Sequence, residues 1–155
     1  MSSKEVYSEL PVMPVAAEVN WEALEVGGLV SNPLTLSAED LGRMSQSQTV
    51  QDFRCHDGWV APDQKWEGVP VSTVLEKAGA APDAGYLTFR GGEFTRSLTL
   101  EEAASPDVLL ALRLNGRPVP RENGGPCRLV AESPTGHAHV KWVQRIEVTR
   151  EAPSS

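Results

Sequence analysis

Apolar and polar residues alternate in several short stretches of this chain, and apolar residues fall at helical spacing in only a few, which predicts many strands and few helices. "LEVGGLVSNPLTLS" reads as strand, turn, strand, with Leu24, Val26 and Leu29 apolar and Asn32-Pro33 marking the turn. In "SAEDLGRM", Ser37 followed by Asp40 is a capping-box signature that opens a short helix. "TVQDFRC" alternates as a strand ending near Cys55, with Phe53 and Cys55 on one face. The clearest helix lies in "WEGVPVSTVLEKAGAAPDAG", where Val71, Val74, Leu75 and Ala78 fall at i, i+3, i+4 and i+7. Pro70 suits its first position, and Gly79 suits the residue just past its end.

Further along, "YLTF" predicts a strand and Gly91-Gly92 a break, while Thr99 with Glu102 makes a second capping box for a helix that stops before Pro106. "DVLLALRLNGRPVP" carries the strongest hairpin signal, because Asn115-Gly116 fits a two-residue turn that needs positive φ. "PCRLVAE" predicts another strand and "SPTGHAHVK" a loop. "HVKWVQRIEV" predicts a last strand with Val140, Trp142, Ile146 and Val148 facing one way and Lys141, Arg145 and Glu147 the other. The opening residues, with Pro11 and Pro14, show no period. The organisation expected is an N-terminal arm over residues 1–22, one domain over 23–150 and a disordered tail over 151–155. Many short strands with three short helices between them predict an α+β fold with mixed, mainly antiparallel sheets.

Composition narrows the function classes. At 155 residues the chain has the size of one domain with a real core, and 40% hydrophobic with 23% charged residues suits a soluble globular protein. A formal net charge of -7 argues against nonspecific nucleic-acid binding and makes any local cluster of cations informative. No apolar run approaches the ~20 residues of a membrane span. The N-terminus lacks a charged head followed by a continuous apolar core, so the sequence as it stands reads as cytoplasmic, or as exported if a leader was removed. Two cysteines, Cys55 and Cys127, allow one disulfide or two reduced thiols, at least one packed as a small apolar group.

Two constellations carry candidate chemistry. In "FRCHDGW", Arg54 and His56 flank Cys55, and their charges would favour a thiolate able to attack or to bind metal; the plainer alternative is a buried, inert cysteine. The spacing of Cys55, His56, Cys127, His137 and His139 does not support structural zinc, since no C-x2-C pair is present. The second constellation is "RENGGPCRLVAESPTGHAHVKW". Asn123, Gly124, Gly125 and Pro126 predict a tight turn into a strand bearing Arg128, followed by a loop ending in an exposed Lys141. Glycines let backbone N–H groups approach an anion, and arginine offers phosphate a planar fork. On this segment alone the plainer reading is a glycine-rich hairpin loop with two solvated cations. Trp59 and Trp66 fit either a pocket wall or core anchors.

Taken in order, these segments resemble the molybdopterin-binding catalytic domain of the sulfite oxidase family. "VGGLVSNPLTLSAEDL" looks like that domain's opening strand, turn and helix, "FRCHDGW" like its cysteine segment, and "WEGVPVSTVLEKAG" like the helix behind it. "LRLNGRPVPRENGGPCRLVAESPTGHAHVKWVQRIEV" looks like its closing hairpin, cofactor turn and final strand, so the likeness spans about residues 24–148. The resemblance implies a sulfite oxidase-type molybdopterin-binding fold and a molybdenum–molybdopterin cofactor. It implies that Cys55 is the protein's ligand to the metal, whose other sulfurs come from the pterin dithiolene; a soft thiolate suits such a centre. Phe53, Asn123 and Arg128 would then contact the cofactor, and His139, Val140 and Lys141 would line its phosphate end, through backbone groups and the Lys141 charge.

The likeness also has departures. Sulfite oxidases carry an arginine-rich run after the cysteine, whereas this sequence reads "CHDGWVAPD", with Asp57 placed to repel sulfite. "FRC" and "ENGGPCR" look more like the sulfoxide-reductase branch, which has a longer N-terminal region, and the dimerisation domain of many sulfite oxidases is absent from this sequence. The expected function is two-electron oxygen-atom transfer on a small substrate, with the chemistry at sulfur. Cys55 would hold the metal, and Arg54, His56, Asp57 and Trp59, with Arg96 a more remote candidate, would form the pocket rim. No haem or flavin motif is present, so electrons would pass to or from a separate partner protein. The alternatives are a cofactor-binding module or subunit of the same fold without catalysis, and a metal-free thiol enzyme using Cys55 with a histidine.

Overall fold

The computed structural model describes residues 21–54, 59–133 and 136–151. Most of the expected arm, the Cys55–His56–Asp57 segment and the end of the tail lie outside the described residues. In chain order the elements are β1 (Leu24–Gly28), β2 (Leu34–Leu36), α1 (Ala38–Gly42), β3 (Ser47–Arg54), β4 (Val60–Pro70), α2 (Val71–Ala78), β5 (Tyr86–Gly91) and β6 (Phe94–Thr99). There follow α3 (Leu100–Ala103), β7 (Leu109–Leu114), β8 (Arg117–Pro118), a 3-10 turn (Arg121–Asn123), β9 (Arg128–Ser133), β10 (Gly136–Val140) and β11 (Arg145–Thr149).

Local chemistry sets many of these boundaries. The Ser37 hydroxyl accepts from the Asp40 N–H and the Ser37 N–H donates to the Asp40 carboxylate, each at 3.0 Å; that backbone hydrogen bond, then the hydroxyl, holds the Asp40 carboxyl below its ordinary pKa. Thr99 and Glu102 repeat the arrangement at α3. Gly79 ends α2 at φ 71° with its N–H on the Leu75 carbonyl, while Pro70 caps α2 from outside rather than occupying its first turn. Asn115 and Gly116 turn the β7–β8 hairpin at φ 52° and 86°.

Two sheets result. One has the order β2-β1-β11-β5-β6, the other β10-β9-β7-β4-β3 with β8 on β7. Among the described residues all strand pairs are antiparallel except β1 with β11, in keeping with the expected α+β class. The eleven-residue β4 runs through "VAPDQKW", with Asp63 at φ 55°. Two local expectations need correction. "GHAHV" is not loop but strand, paired back on β9. The last expected strand is two: β10 stops at Val140, Trp142 turns the chain at φ 52°, and β11 begins at Arg145.

The larger core joins both sheets and the helices through Leu24, Phe89, Ile146, Val74, Leu110 and Leu129. A second core of Phe53, Trp59, Ala61, Trp66, Ala111, Leu114, Val119 and Val130 covers the other face of the second sheet. The middle of that sheet is therefore buried on both sides, and successive residues such as Leu110 and Ala111 serve opposite cores. Among the described residues no helix is long and apolar enough to cross a membrane.

Cys127 sits in the larger core as a free, fully buried thiol. Burial pushes it from 9.0 up to about 12, because desolvation disfavours the thiolate. Its folded-state pKa is raised, so its contribution to stability is intact below the unfolded value and is lost as pH rises toward the folded one, by about 1.4 kcal/mol per pH unit. The stability difference between wild type and Cys127→Ala, measured by urea unfolding, should therefore shrink from about pH 9 upward. A difference that stays constant to about pH 11 would contradict this.

Candidate functional site

The face of the second sheet turned away from the larger core gathers Phe53 from β3, Trp66 from β4, Arg128 from β9 and His139 from β10. The register explains the gathering. Leu129 pairs with Val140 and Val130 with His139; Leu129 and Val140 belong to the larger core, so Arg128, Val130 and His139 face the other way. Phe53 stacks on Trp66 with centroids 6.0 Å apart and planes within 8°, and on Trp59 at 5.3 Å and 14°. The Trp66 indole N–H donates to the Gln51 carbonyl at 3.2 Å, which fixes the stack to β3.

Against this stack lies the Arg128 guanidinium, 1% exposed, its carbon 4.4 Å from the Phe53 ring centre and 5.3 Å from that of Trp66. Its Nη1 donates to the Asn123 carbonyl at 2.8 Å and its Nη2 to His139 Nδ1 at 3.0 Å. The His139 ring meets Trp66 edge-on at 6.4 Å and 73°. A guanidinium stays protonated even here, so a full positive charge is held at a fixed place in a low-dielectric setting, where it attracts an anion strongly.

Asn123 closes the 3-10 turn and is itself buried, and its Oδ1 has no hydrogen-bond partner. An orphaned buried acceptor is costly, of order 1–3 kcal/mol, unless a ligand supplies a donor. Gly124 follows at φ 103° and accepts from the Trp142 N–H at 3.0 Å. The Lys141–Trp142 corner passes between two glycines: a Cβ on Gly124 would stand 2.9 Å from Lys141 Cγ, and one on Gly91 would stand 2.0 Å from the Lys141 carbonyl oxygen. Trp142 is anchored by its indole N–H on the Arg121 carbonyl at 2.6 Å, and Lys141 Nζ lies 5.6 Å from its ring centre. Lys141 directly follows Val140, whose strand partner Leu129 directly follows Arg128.

Of the residues singled out in the sequence, Phe53, Asn123, Arg128 and His139 form one connected cluster, and Lys141 flanks it. Val140 puts its side chain in the larger core and leaves only its backbone to the cluster. The expected solvated cations are both buried, Arg128 at 1% and Lys141 at 6%, because the sheet face they occupy is itself a core. Trp59 and Trp66 are core anchors, 6% and 0% exposed. Arg96 is exposed on the edge strand β6. Arg54 pairs with Val60 through its backbone, while Cys55, His56 and Asp57 lie outside the described residues. The aromatic stack around Arg128 and the ring contact of His139 escape sequence reasoning; the spacing of Arg128, Val130 and Ala138 to Val140 holds the signal once β9 and β10 are recognised as a pair.

Comparison with known proteins follows the same lines. A family model described as the oxidoreductase molybdopterin binding domain matches residues 10–155. An uncharacterized oxidoreductase, YuiH, of Bacillus subtilis (strain 168) is 35% identical over 129 residues, covering 83% of this chain and 65% of that protein. The protein-methionine-sulfoxide reductase catalytic subunit MsrP of Gluconobacter oxydans (strain 621H) is 32% identical over 151 residues, covering 84% of this chain and 47% of that protein. Among solved structures, the sulfane dehydrogenase SoxCD from Paracoccus pantotrophus superposes with a TM-score of 0.75 at 29% identity, over 86% of this chain and 39% of that one. The chain thus spans about half to two thirds of the length of the curated relatives it matches.

Proposed function

The chain belongs to the oxidoreductase molybdopterin-binding domain family, and on that premise we propose that it performs two-electron oxygen-atom transfer on a small sulfur-containing substrate. The observation that carries the reading is the buried pairing of Arg128 with Asn123, a fixed cation beside an acceptor oxygen that has no partner. A pterin with a phosphate tail fits both halves: ring N–H groups for Asn123 Oδ1, and a phosphate anion for the charge of Arg128 and Lys141. When bound, the molybdenum group supplies a metal that changes oxidation state by two and exchanges one oxygen atom with the substrate.

The protein's share is to bind and orient. Cys55, carried past the end of β3, is the proposed thiolate ligand. Phe53, on β3 and two residues before Cys55 in sequence, packs its ring against the Arg128 guanidinium. Arg54, His56 and Asp57 are the proposed rim; Trp59, stacked on Phe53 in the second core, is not part of it. A rim carboxylate at Asp57 disfavours sulfite, an anion, and favours a neutral sulfoxide. Sulfoxide reduction consumes two electrons and two protons and yields thioether and water, with the electrons delivered by a separate protein.

Protein made in a host competent for the cofactor should hold about one molybdenum per chain and reduce methionine sulfoxide with a viologen donor faster than it oxidises sulfite. Cys55→Ser should lower that turnover by more than about a hundredfold, beyond the loss expected for an outer-shell contact. Molybdenum without turnover of either substrate would favour a non-catalytic cofactor module. Turnover or thiol chemistry in metal-free protein would favour a thiol enzyme and overturn the proposal.

A further inference from the structure

The contact between Arg128 Nη2 and His139 Nδ1, 3.0 Å long, fixes more than a distance. A guanidinium offers five N–H donors and no acceptor, so it can only donate. Nδ1 must then present its lone pair, and the ring proton belongs on Nε2. The Trp66 edge contact at 6.4 Å and 73° fixes the orientation of the ring. Arg128 in turn has its plane set by three described neighbours besides His139: the Asn123 carbonyl, the Phe53 ring and the Trp66 ring.

We propose that His139 is a positioning residue: its imidazole, locked as the neutral tautomer protonated at Nε2, sets the orientation of the Arg128 guanidinium. The chemistry suits the task. A carboxylate in the same place would orient the arginine but cancel its charge, whereas a neutral acceptor orients it and leaves the full positive charge for an anion. The position also suits it, since His139 pairs with Val130, two residues along β9 from Arg128 on the same face. The consequence for cofactor loading rests on the reading of Arg128 as a phosphate or pterin contact; the tautomer does not.

The test has two arms for that reason. In cofactor-free wild-type protein, long-range proton–nitrogen correlation spectra should show one His139 species with a bare Nδ1 and a protonated Nε2, assigned by its loss in His139→Asn. Side-chain N–H signals of Arg128 should be resolved, persist in His139→Asn, whose amide oxygen stands close to the place of Nδ1, and average out in His139→Leu. A ring protonated at Nδ1, averaged tautomers, or Arg128 signals unchanged in His139→Leu would each overturn the proposal. In the cofactor-competent host, His139→Asn should keep molybdenum per chain within about twofold of wild type and His139→Leu should lose about tenfold, the worth of one charge-assisted hydrogen bond. Equal retention in all three proteins, with all three folded, overturns the positioning role. Wild-type protein that takes up no molybdenum defeats the functional proposal instead, and His139 is then decided by the nitrogen spectra alone.

Discussion

Arg128→Met should leave the cofactor-free protein within about 2 kcal/mol of wild-type stability while reducing retained molybdenum more than tenfold. The two halves of this expectation come from different balances. In the absence of ligand, Arg128 gains charge-assisted hydrogen bonds to the Asn123 carbonyl and His139, worth about 1.5–3 kcal/mol each, and contacts with two aromatic rings, worth roughly 0.5–2 kcal/mol each. Against these stands the cost of removing a guanidinium from water, several kcal/mol after relaxation. The sums are of equal size, and methionine fills much of the same volume between Phe53 and Trp66 while keeping favourable sulfur–aromatic contact. With an anionic cofactor the balance is one-sided, because methionine supplies neither charge nor fork. Urea midpoints and metal content per chain check the two parts separately. Wild-type molybdenum content in a folded Arg128→Met protein would remove Arg128 from the site. A collapse of stability by more than about 4 kcal/mol would mark it as structural instead.

That same arginine shows how far the sequence could be read. Where a signal is local, it was legible: the capping boxes at Ser37 and Thr99, the Asn115-Gly116 turn and the Val71–Ala78 stripe all stand in the structure where their chemistry puts them. Alternation was harder to interpret. It assigns Arg128 and Lys141 to a polar face, and polar faces ordinarily meet solvent. Here the opposite face of the second sheet carries its own core of three stacked aromatics, so the charged positions are buried too. β4 was hidden for a related reason. Pro62, Gly68 and Pro70 punctuate it as they would a loop, but Pro70 stands at its end and Gly68 at a close approach, where a Cβ would lie 2.0 Å from the Leu110 carbonyl oxygen. Asn123 and Arg128 stand out in the sequence as a glycine-rich turn into a strand, and the family likeness supplies their expected role at the cofactor. Their contact through the Asn123 carbonyl needs the folded register of the turn against β9, which no spacing along the chain conveys.

Gly125→Ala should be the most destabilising small substitution in the turn that carries Asn123, costing about 3–5 kcal/mol. A Cβ at Gly125 would stand 1.8 Å from the Val119 carbonyl oxygen, 2.7 Å from its carbonyl carbon and 3.2 Å from the Pro120 oxygen. All three are backbone atoms, so no side chain can rotate away. The same segment is closed by the Gly125 N–H on the Pro120 carbonyl at 3.0 Å, and Val119 is a member of the second core. Relief therefore requires moving either the turn, which displaces Asn123 from Arg128, or Val119, which opens the core beneath Phe53 and Trp66. Gly42, at the end of α1, has nothing within 4 Å of its would-be Cβ; Gly42→Ala should be neutral or stabilise by up to about 1 kcal/mol. Paired urea unfolding of the two variants isolates the steric cost from the general effect of replacing glycine. Gly125→Ala within about 1 kcal/mol of Gly42→Ala would mean that the turn can yield, and that Asn123 is not held rigidly enough to present its oxygen to a ligand.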